Sequence, residues 1–109
     1  MKAKGYNGTV EFNGQAVIIT REGFNARATV GSGSKLIPLR SINAVQWKPP
    51  SFLTNGFIEF TISGGSEVSG GAGRTSKNVT NENAVIVTRK HVDEMLALKA
   101  AVEAALVAP

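Results

Sequence analysis

The chain has 109 residues, 42% of them hydrophobic and 18% charged, which is typical of one small globular domain. The net charge is +4, but the basic residues are scattered and only Arg89 and Lys90 are adjacent, so no specific nucleic-acid surface is expected. The absence of cysteine excludes disulfides, cysteine-ligated zinc and thiol catalysis.

The first predicted elements are two strands joined by a tight turn. Residues 9–12 alternate polar and apolar side chains, and the β-branched run at 16–20 follows closely. Between them, Asn13-Gly14 suits the positive backbone angles of a hairpin, so the two strands are predicted to pair antiparallel.

Two more short strands are predicted before the middle of the chain. Residues 26–30 form the first, which ends at a Gly-Ser-Gly-Ser sequence, and residues 35–39 form the second. Because proline has no backbone N–H to donate, Pro38 indicates that the second lies at a sheet edge or ends there.

The central stretch predicts a strand, an exit and a return. In residues 42–48, Val45 and Trp47 share one face, while Ile42 stands apart from this alternation; the opposite face carries Ala44, Gln46 and Lys48. Pro49-Pro50 ends that strand, and Asn55-Gly56 starts the return.

The return strand is predicted over residues 57–62, with Ile58, Phe60 and Ile62 facing inward and Glu59 and Thr61 facing solvent. Residues 63–82 are rich in glycine and serine and predict a flexible loop, in which a short strand at 67–69 remains an alternative. The last strand is predicted over residues 84–88.

The C-terminal segment changes to helical periodicity. A helix is predicted over about 90–107, with Asp93 and Glu94 in its first turn, where the helix dipole favours negative charge. Its apolar stripe is predicted to consist of Val92, Met95, Leu96, Val102 and Leu106, with Leu98 and Ala105 at the margins. This amphipathic helix is expected to cap the sheet.

Together these elements predict one mainly β (α+β) domain spanning 1–109. Its architecture is a bent antiparallel sheet, or partly open barrel, of about seven strands capped by one C-terminal helix. The N-terminus lacks the apolar segment of a secretory signal, and no apolar run reaches the roughly 20 residues of a membrane span, so a cytoplasmic protein is expected.

Three stretches carry a resemblance to a known family. They are NGTVEFNGQAVIITR at 7–21, IPLRSINAVQWKPPSFLTNGFIEFTISGG at 37–65 and NENAVIVTRKHVDEMLALKAAVEAAL at 81–106. With them the chain resembles bacterial pleckstrin-homology-like (PH-like) domains. It is most similar to a domain family of unknown function from high-GC Gram-positive bacteria and their phages. The resemblance implies a seven-stranded bent sheet closed at one end by the helix, and a binding or assembly module without catalytic residues or cofactor.

One property of lipid-binding PH domains does not carry over to these residues. Such domains place lysines and arginines in and around a long first hairpin loop. The turn at 12–15 is short and has no basic residue, so the usual lipid headgroup site is predicted to be absent.

The sequence also lacks the combinations of residues that catalysis requires. His91 is the only histidine, and the carboxylates show no spacing typical of an acid–base pair or a metal site. In the glycine-rich stretch at 70–77 the lysine follows the serine, the reverse of the order in a phosphate-binding loop. We therefore predict no catalytic, metal-binding or cofactor-binding residues.

The leading functional hypothesis is a non-enzymatic module for protein–protein interaction, self-assembly or both. Its candidate contact residues are Phe52 and Leu53, an apolar pair in a loop, flanked by Arg40 and Lys48 if the two strands adjoin. Alternatively, Phe52 folds back over the end of the barrel and serves the core. The competing functional hypothesis, motivated by the net charge, is binding of anionic lipid or of a small anionic ligand.

Overall fold

The computed structural model describes residues 1–21, 33–62 and 82–108. Seven strands, two short 3₁₀ turns (Leu39–Ser41 and Arg89–His91) and one helix α1 (Val92–Leu106) make up the described fold. The strands are β1 (Lys2–Lys4), β2 (Thr9–Phe12), β3 (Ala16–Arg21), β4 (Gly33–Pro38), β5 (Ile42–Lys48), β6 (Gly56–Ile62) and β7 (Ala84–Val87). They form two antiparallel sheets, ordered β1-β2-β3-β4 and β5-β6-β7, that do not close into a barrel. The predicted mainly β class with one C-terminal helix is confirmed.

The predicted hairpin joins β2 to β3. Val10 lies opposite Ile19 in the antiparallel register, and both are buried in the core. The Asn13 side-chain oxygen accepts hydrogen bonds from the backbone N–H groups of Gln15 and Ala16, each 2.9 Å long. Gly14 adopts φ +94°, the conformation that favours glycine, whereas Asn13 has no positive φ. The predicted hairpin is confirmed, but the predicted positive backbone angle occurs at Gly14 alone.

Strand β1 was not predicted. It pairs with β2, and only its middle residue, Ala3, is buried, because the lysines on either side point away from the core. Three residues with one apolar side chain carry almost no periodic signal. The strand predicted over 26–30 lies outside the described residues, and so do residues 63–81 of the predicted loop. The seven described strands therefore include β1, which was not predicted.

Strand β4 begins at Gly33, two residues before the predicted start, and pairs only with β3 among the described strands. Pro38 is its last residue, as predicted from the missing N–H.

The pairing of β5 with β6 shifts register between Ile42 and Ala44, which sets Ile42 apart from the regular alternation of the strand, also as predicted.

The prediction for β6 was right for its inner face and wrong for Glu59. Ile58 and Phe60 are fully buried, but so is Glu59, with 1% of its surface exposed. β6 is the central strand of its sheet, so Glu59 is flanked by Gln46 on one side and Ala84 on the other. On the same face, Phe57, Ala84 and Ile86 form a second, smaller apolar cluster.

Helix α1 packs against β1 and β2 of one sheet and against β5 of the other, so it covers the core between them. Its buried residues are Met95, Leu98 and Val102, while Leu96 is exposed. The predicted stripe was therefore wrong in placing Leu96 within it and Leu98 at its margin. The spacing 95, 98 and 102 follows one face of a 3.6-residue helix, and Leu96 lies about 100° around the helix from Met95.

Two sets of polar contacts join the sheets. The Tyr6 N–H donates to Ile86 O at 2.7 Å, and the Ile86 N–H donates to the Asn7 side-chain oxygen at 2.9 Å. From β3, the buried Arg21 donates through Nη2 to the carbonyls of Glu82 (2.9 Å) and Ala84 (2.7 Å). Burial lowers the pKa of Arg21 while the charge of Glu82 acts in the opposite direction, and the guanidinium stays protonated.

The surface pair of Lys35 and Glu82 makes stability slightly pH-dependent. A 2.7 Å hydrogen bond from Lys35 Nζ lowers the pKa of the Glu82 carboxyl in the folded chain. A carboxyl whose folded pKa is depressed stabilises the fold above its unfolded pKa, and this contribution is lost as pH falls through the folded value. We expect Glu82→Gln to cost about 0.5 kcal/mol or less at pH 7, because the pair is exposed.

Urea unfolding of the wild type and Glu82→Gln at neutral and acidic pH measures this effect, with Lys35→Met/Glu82→Gln as the control for the pair. The free energies of unfolding of the wild type and Glu82→Gln should converge at acidic pH. A difference that grows as the pH falls would contradict the assignment.

Candidate functional site

The loop between β5 and β6 is held by hydrogen bonds within Ser51–Thr54. The Ser51 N–H donates to Thr54 O at 2.8 Å, and Ser51 Oγ accepts from the N–H groups of Leu53 (3.2 Å) and Thr54 (3.0 Å). The Ser51 and Thr54 hydroxyls also lie within hydrogen-bond distance, at 3.0 Å. These contacts and the two prolines before them give the loop a defined shape.

Glycine at position 56 allows the chain to turn back closely from the loop into β6. A Cβ atom at this position would lie 2.5 Å from Pro50 N and 2.6 Å from the carbonyl carbon of Pro49. Unlike at Gly14, the requirement is close approach of two backbone segments and not a positive φ. β5 stops before Pro49, as predicted, and β6 begins at Gly56, one residue before the predicted start.

The apolar pair at the tip of this loop points into solvent. Phe52 is 86% exposed and Leu53 85% exposed, so Phe52 does not fold back over the end of the sheets. The guanidinium carbon of Arg89 lies 5.9 Å from the centre of the Phe52 ring, within the range of a cation–π contact.

A concave surface of about 500 Å³ opens beside this tip, and we call it the tip cleft. It is lined by Tyr6, Ser51, Phe52, Leu53, Thr54, Asn55, Thr88, Arg89 and Lys90. One wall is the β5–β6 loop. The other comes from the end of β7 and the 3₁₀ turn after it, with Tyr6 held there by its backbone bond to Ile86.

Two of the four predicted contact residues, Phe52 and Leu53, line the tip cleft. Lys48 is the last residue of β5 and leads into the loop that carries Phe52 and Leu53. Arg40 lies in the 3₁₀ turn before β5, at the opposite end of a strand roughly 20 Å long, so it does not flank the loop. Arg40 instead borders a second concave surface of about 590 Å³, which is lined by Gly14, Gln15, Pro38, Leu39, Arg40, Ile42, Ala105 and Leu106.

The basic residues beside the loop are Arg89 and Lys90, where Arg40 was expected. Sequence reasoning missed them because the pairing of β6 with β7 and the turn that follows carry them to the tip, far along the chain from Phe52. The available signal was that they are the one adjacent pair of basic residues in the sequence.

The described residues hold no grouping of side chains typical of a metal site. Within 1–21, 33–62 and 82–108, no three His, Asp or Glu side chains come close enough together to hold a metal ion. In the same ranges, no helix has the length and apolar character needed to cross a membrane. His91 lies where the 3₁₀ turn meets α1 and is partly buried.

Comparison with known protein families gives a match over most of the chain. A family model described as a domain of unknown function (DUF4429) matches residues 10–103, which include most of β2, all of β3 to β7 and most of α1. No curated protein and no solved structure matches the chain significantly. Because the family model covers most of the 109 residues, the chain belongs to the DUF4429 family of domains of unknown function.

Proposed function

We propose that this chain is a non-enzymatic PH-like binding module that acts through the tip cleft, by protein–protein interaction, by self-assembly or by both. The arrangement of four strands, three strands and a C-terminal helix agrees with what the resemblance implies for a PH-like domain of high-GC Gram-positive bacteria and their phages. The fold alone gives no warrant for a function, so the proposal depends on the site.

The observation that carries it is the exposure of Phe52 and Leu53 side by side. Burying such a side chain yields roughly 1.5–3 kcal/mol, so covering both would contribute several kcal/mol to association. The hydrogen bonds of Ser51 already order the loop backbone, so little backbone entropy remains to be lost on binding. Aromatic and arginine side chains are also the residues most enriched where binding energy concentrates.

We expect Phe52→Ser/Leu53→Ser to abolish binding of the partner without weakening the fold. Both side chains are outside the core, so the free energy of unfolding should change by no more than about 0.5 kcal/mol. Affinity capture with mass spectrometry, run in parallel with thermal unfolding, measures both quantities. Leu36→Ser, which alters an exposed apolar residue on β4, is the matched control.

If the double variant captured the same partners as the wild type, the tip would not be the contact surface. Light scattering behind a sizing column tests the self-assembly version separately. A wild-type monomer at high micromolar concentration would exclude self-assembly, and an oligomer that persists in the double variant would place the contact elsewhere.

The second candidate function is binding of anionic lipid or of a small anionic ligand. Two observations favour it. Arg89 and Lys90 line the cleft and Lys48 ends β5 just before the loop, and no carboxylate lines the cleft to offset their charge. The usual PH headgroup site gains no support from the fold. Because β1 was not predicted, the first hairpin is the connection at 5–8 and not the turn at 12–15; this connection also has no basic residue, and it is bonded to β7.

Co-sedimentation with anionic vesicles at low and physiological salt tests this candidate. Binding at low salt that weakens at physiological salt is the expected signature of attraction between charges. Failure to bind at either salt concentration would exclude it.

A further inference from the structure

We propose that the tip cleft recognises a short acidic segment of a partner protein, with an apolar side chain packed against Phe52 and Leu53 and carboxylates paired with Arg89 and Lys90. This inference rests on the proposed function, because it requires the tip to be a contact surface. It adds the chemistry of the partner.

The shape of the site favours a protruding segment over a flat surface. The cleft of about 500 Å³ has two walls, and its volume lies within the range of about 300–1,000 Å³ that is typical of ligand sites. A side chain from an extended segment can enter between the walls and contact both. A bilayer surface would meet the protruding Phe52 and Leu53 and leave the space between the walls unfilled.

The charge of the site favours an acidic partner. Of the nine residues that line the cleft, two are basic and none is acidic. Lys48 adds a third positive charge just before the loop. Opposite charges on a partner would speed association and fix its orientation, and a basic segment would be repelled.

Arg89 is placed to combine the two kinds of contact. Its guanidinium carbon is 5.9 Å from the centre of the Phe52 ring. A guanidinium over an aromatic ring can still pair with a carboxylate, because its N–H groups lie in its own plane and can donate two parallel hydrogen bonds. A carboxylate bound to Arg89 would therefore lie next to the apolar surface of Phe52, which explains why the segment should carry both kinds of side chain.

The test is selection of a random peptide library displayed on phage against the full chain, with peptides that also bind Phe52→Ser/Leu53→Ser removed. The peptides that remain should be enriched in Asp and Glu next to aromatic or aliphatic residues. A synthetic peptide with the selected sequence should bind the wild type and lose affinity several-fold when salt is raised above the physiological range.

Charge reversal provides the decisive comparison. Arg89→Glu/Lys90→Glu should weaken binding of that peptide at least tenfold. The control is Lys2→Glu/Arg40→Glu, which makes the same change in net charge at exposed residues outside the cleft and should leave the affinity within about twofold. Thermal unfolding of each variant verifies that it is folded.

Three outcomes would overturn the inference. Selected peptides that need Phe52 and Leu53 but show no acidic bias would refute the acidic partner and leave the proposed contact surface standing. If no acidic peptide is selected, vesicles of phosphatidylserine in phosphatidylcholine that bind through Arg89 and Lys90 would assign the cleft to a membrane. Self-association lost in Phe52→Ser/Leu53→Ser, again without acidic peptides, would assign it to a second copy of the chain.

Discussion

Replacing Gly56 by alanine is expected to destabilise the fold by about 3 kcal/mol or more, because the added methyl group has no space. It would lie 2.5 Å from Pro50 N and 2.6 Å from the carbonyl carbon of Pro49. These are backbone atoms beside two proline rings, so they cannot turn aside as the end of a flexible side chain would. Overpacking typically costs 1–3 kcal/mol, and the rigid surroundings place this substitution at the upper end or beyond.

Unfolding in guanidinium chloride, followed by the fluorescence of Trp47, measures the effect. Gly14→Ala is the appropriate comparison, since among the described residues no atom outside its two chain neighbours lies within 4 Å of the Cβ position there. Its cost should come only from the φ of +94° and amount to about 1–2 kcal/mol. Equal losses for the two variants would show that the return at Gly56 relaxes more easily than its geometry indicates.

Phe60→Ala is expected to cost about 3–5 kcal/mol, the range for deleting a buried aromatic ring. Phe60 is fully buried on the inner face of β6, in the cluster that both sheets and α1 share. Its removal would leave a cavity that the β-branched residues around it fill poorly, because their side chains have few alternative rotamers.

Phe52→Ala makes the same chemical change at an exposed position and should alter the free energy of unfolding by less than about 0.5 kcal/mol. Comparison of the two variants separates the role of phenylalanine in the core from its role at the tip. A cost above about 1 kcal/mol for Phe52→Ala would mean that this ring stabilises the fold, and it would weaken the case for a contact surface.

Local patterns in the sequence predicted most of the fold. The inner face of β6, the glycine in the turn before β3 and the prolines after β5 each depend on neighbouring residues, and each was found as predicted. The errors concern residues whose environment is set by distant parts of the chain. Glu59 is buried because β6 has a strand on either side of it, which alternation within β6 does not reveal.

The helix shows a related limit. Several apolar residues of α1 are compatible with more than one stripe, and the choice between Leu96 and Leu98 depends on which face meets β1, β2 and β5. The candidate site was half predicted for the same reason. Phe52, Leu53 and Lys48 are neighbours in sequence, whereas Arg89 and Lys90 reach the cleft only through the pairing of β6 with β7.

The contacts that join the two sheets have a consequence for the speed of folding. The bond from Ile86 to Asn7 spans 79 residues, and those from Arg21 to Glu82 and Ala84 span 61 and 63. Contacts so distant in sequence require large loops to close, and a high contact order slows folding. We expect hairpins such as β2–β3 to form before these joining contacts. Because closing these loops is then the slow step, substitutions at Asn7 or Arg21 should slow folding more than they accelerate unfolding, which stopped-flow kinetics measures.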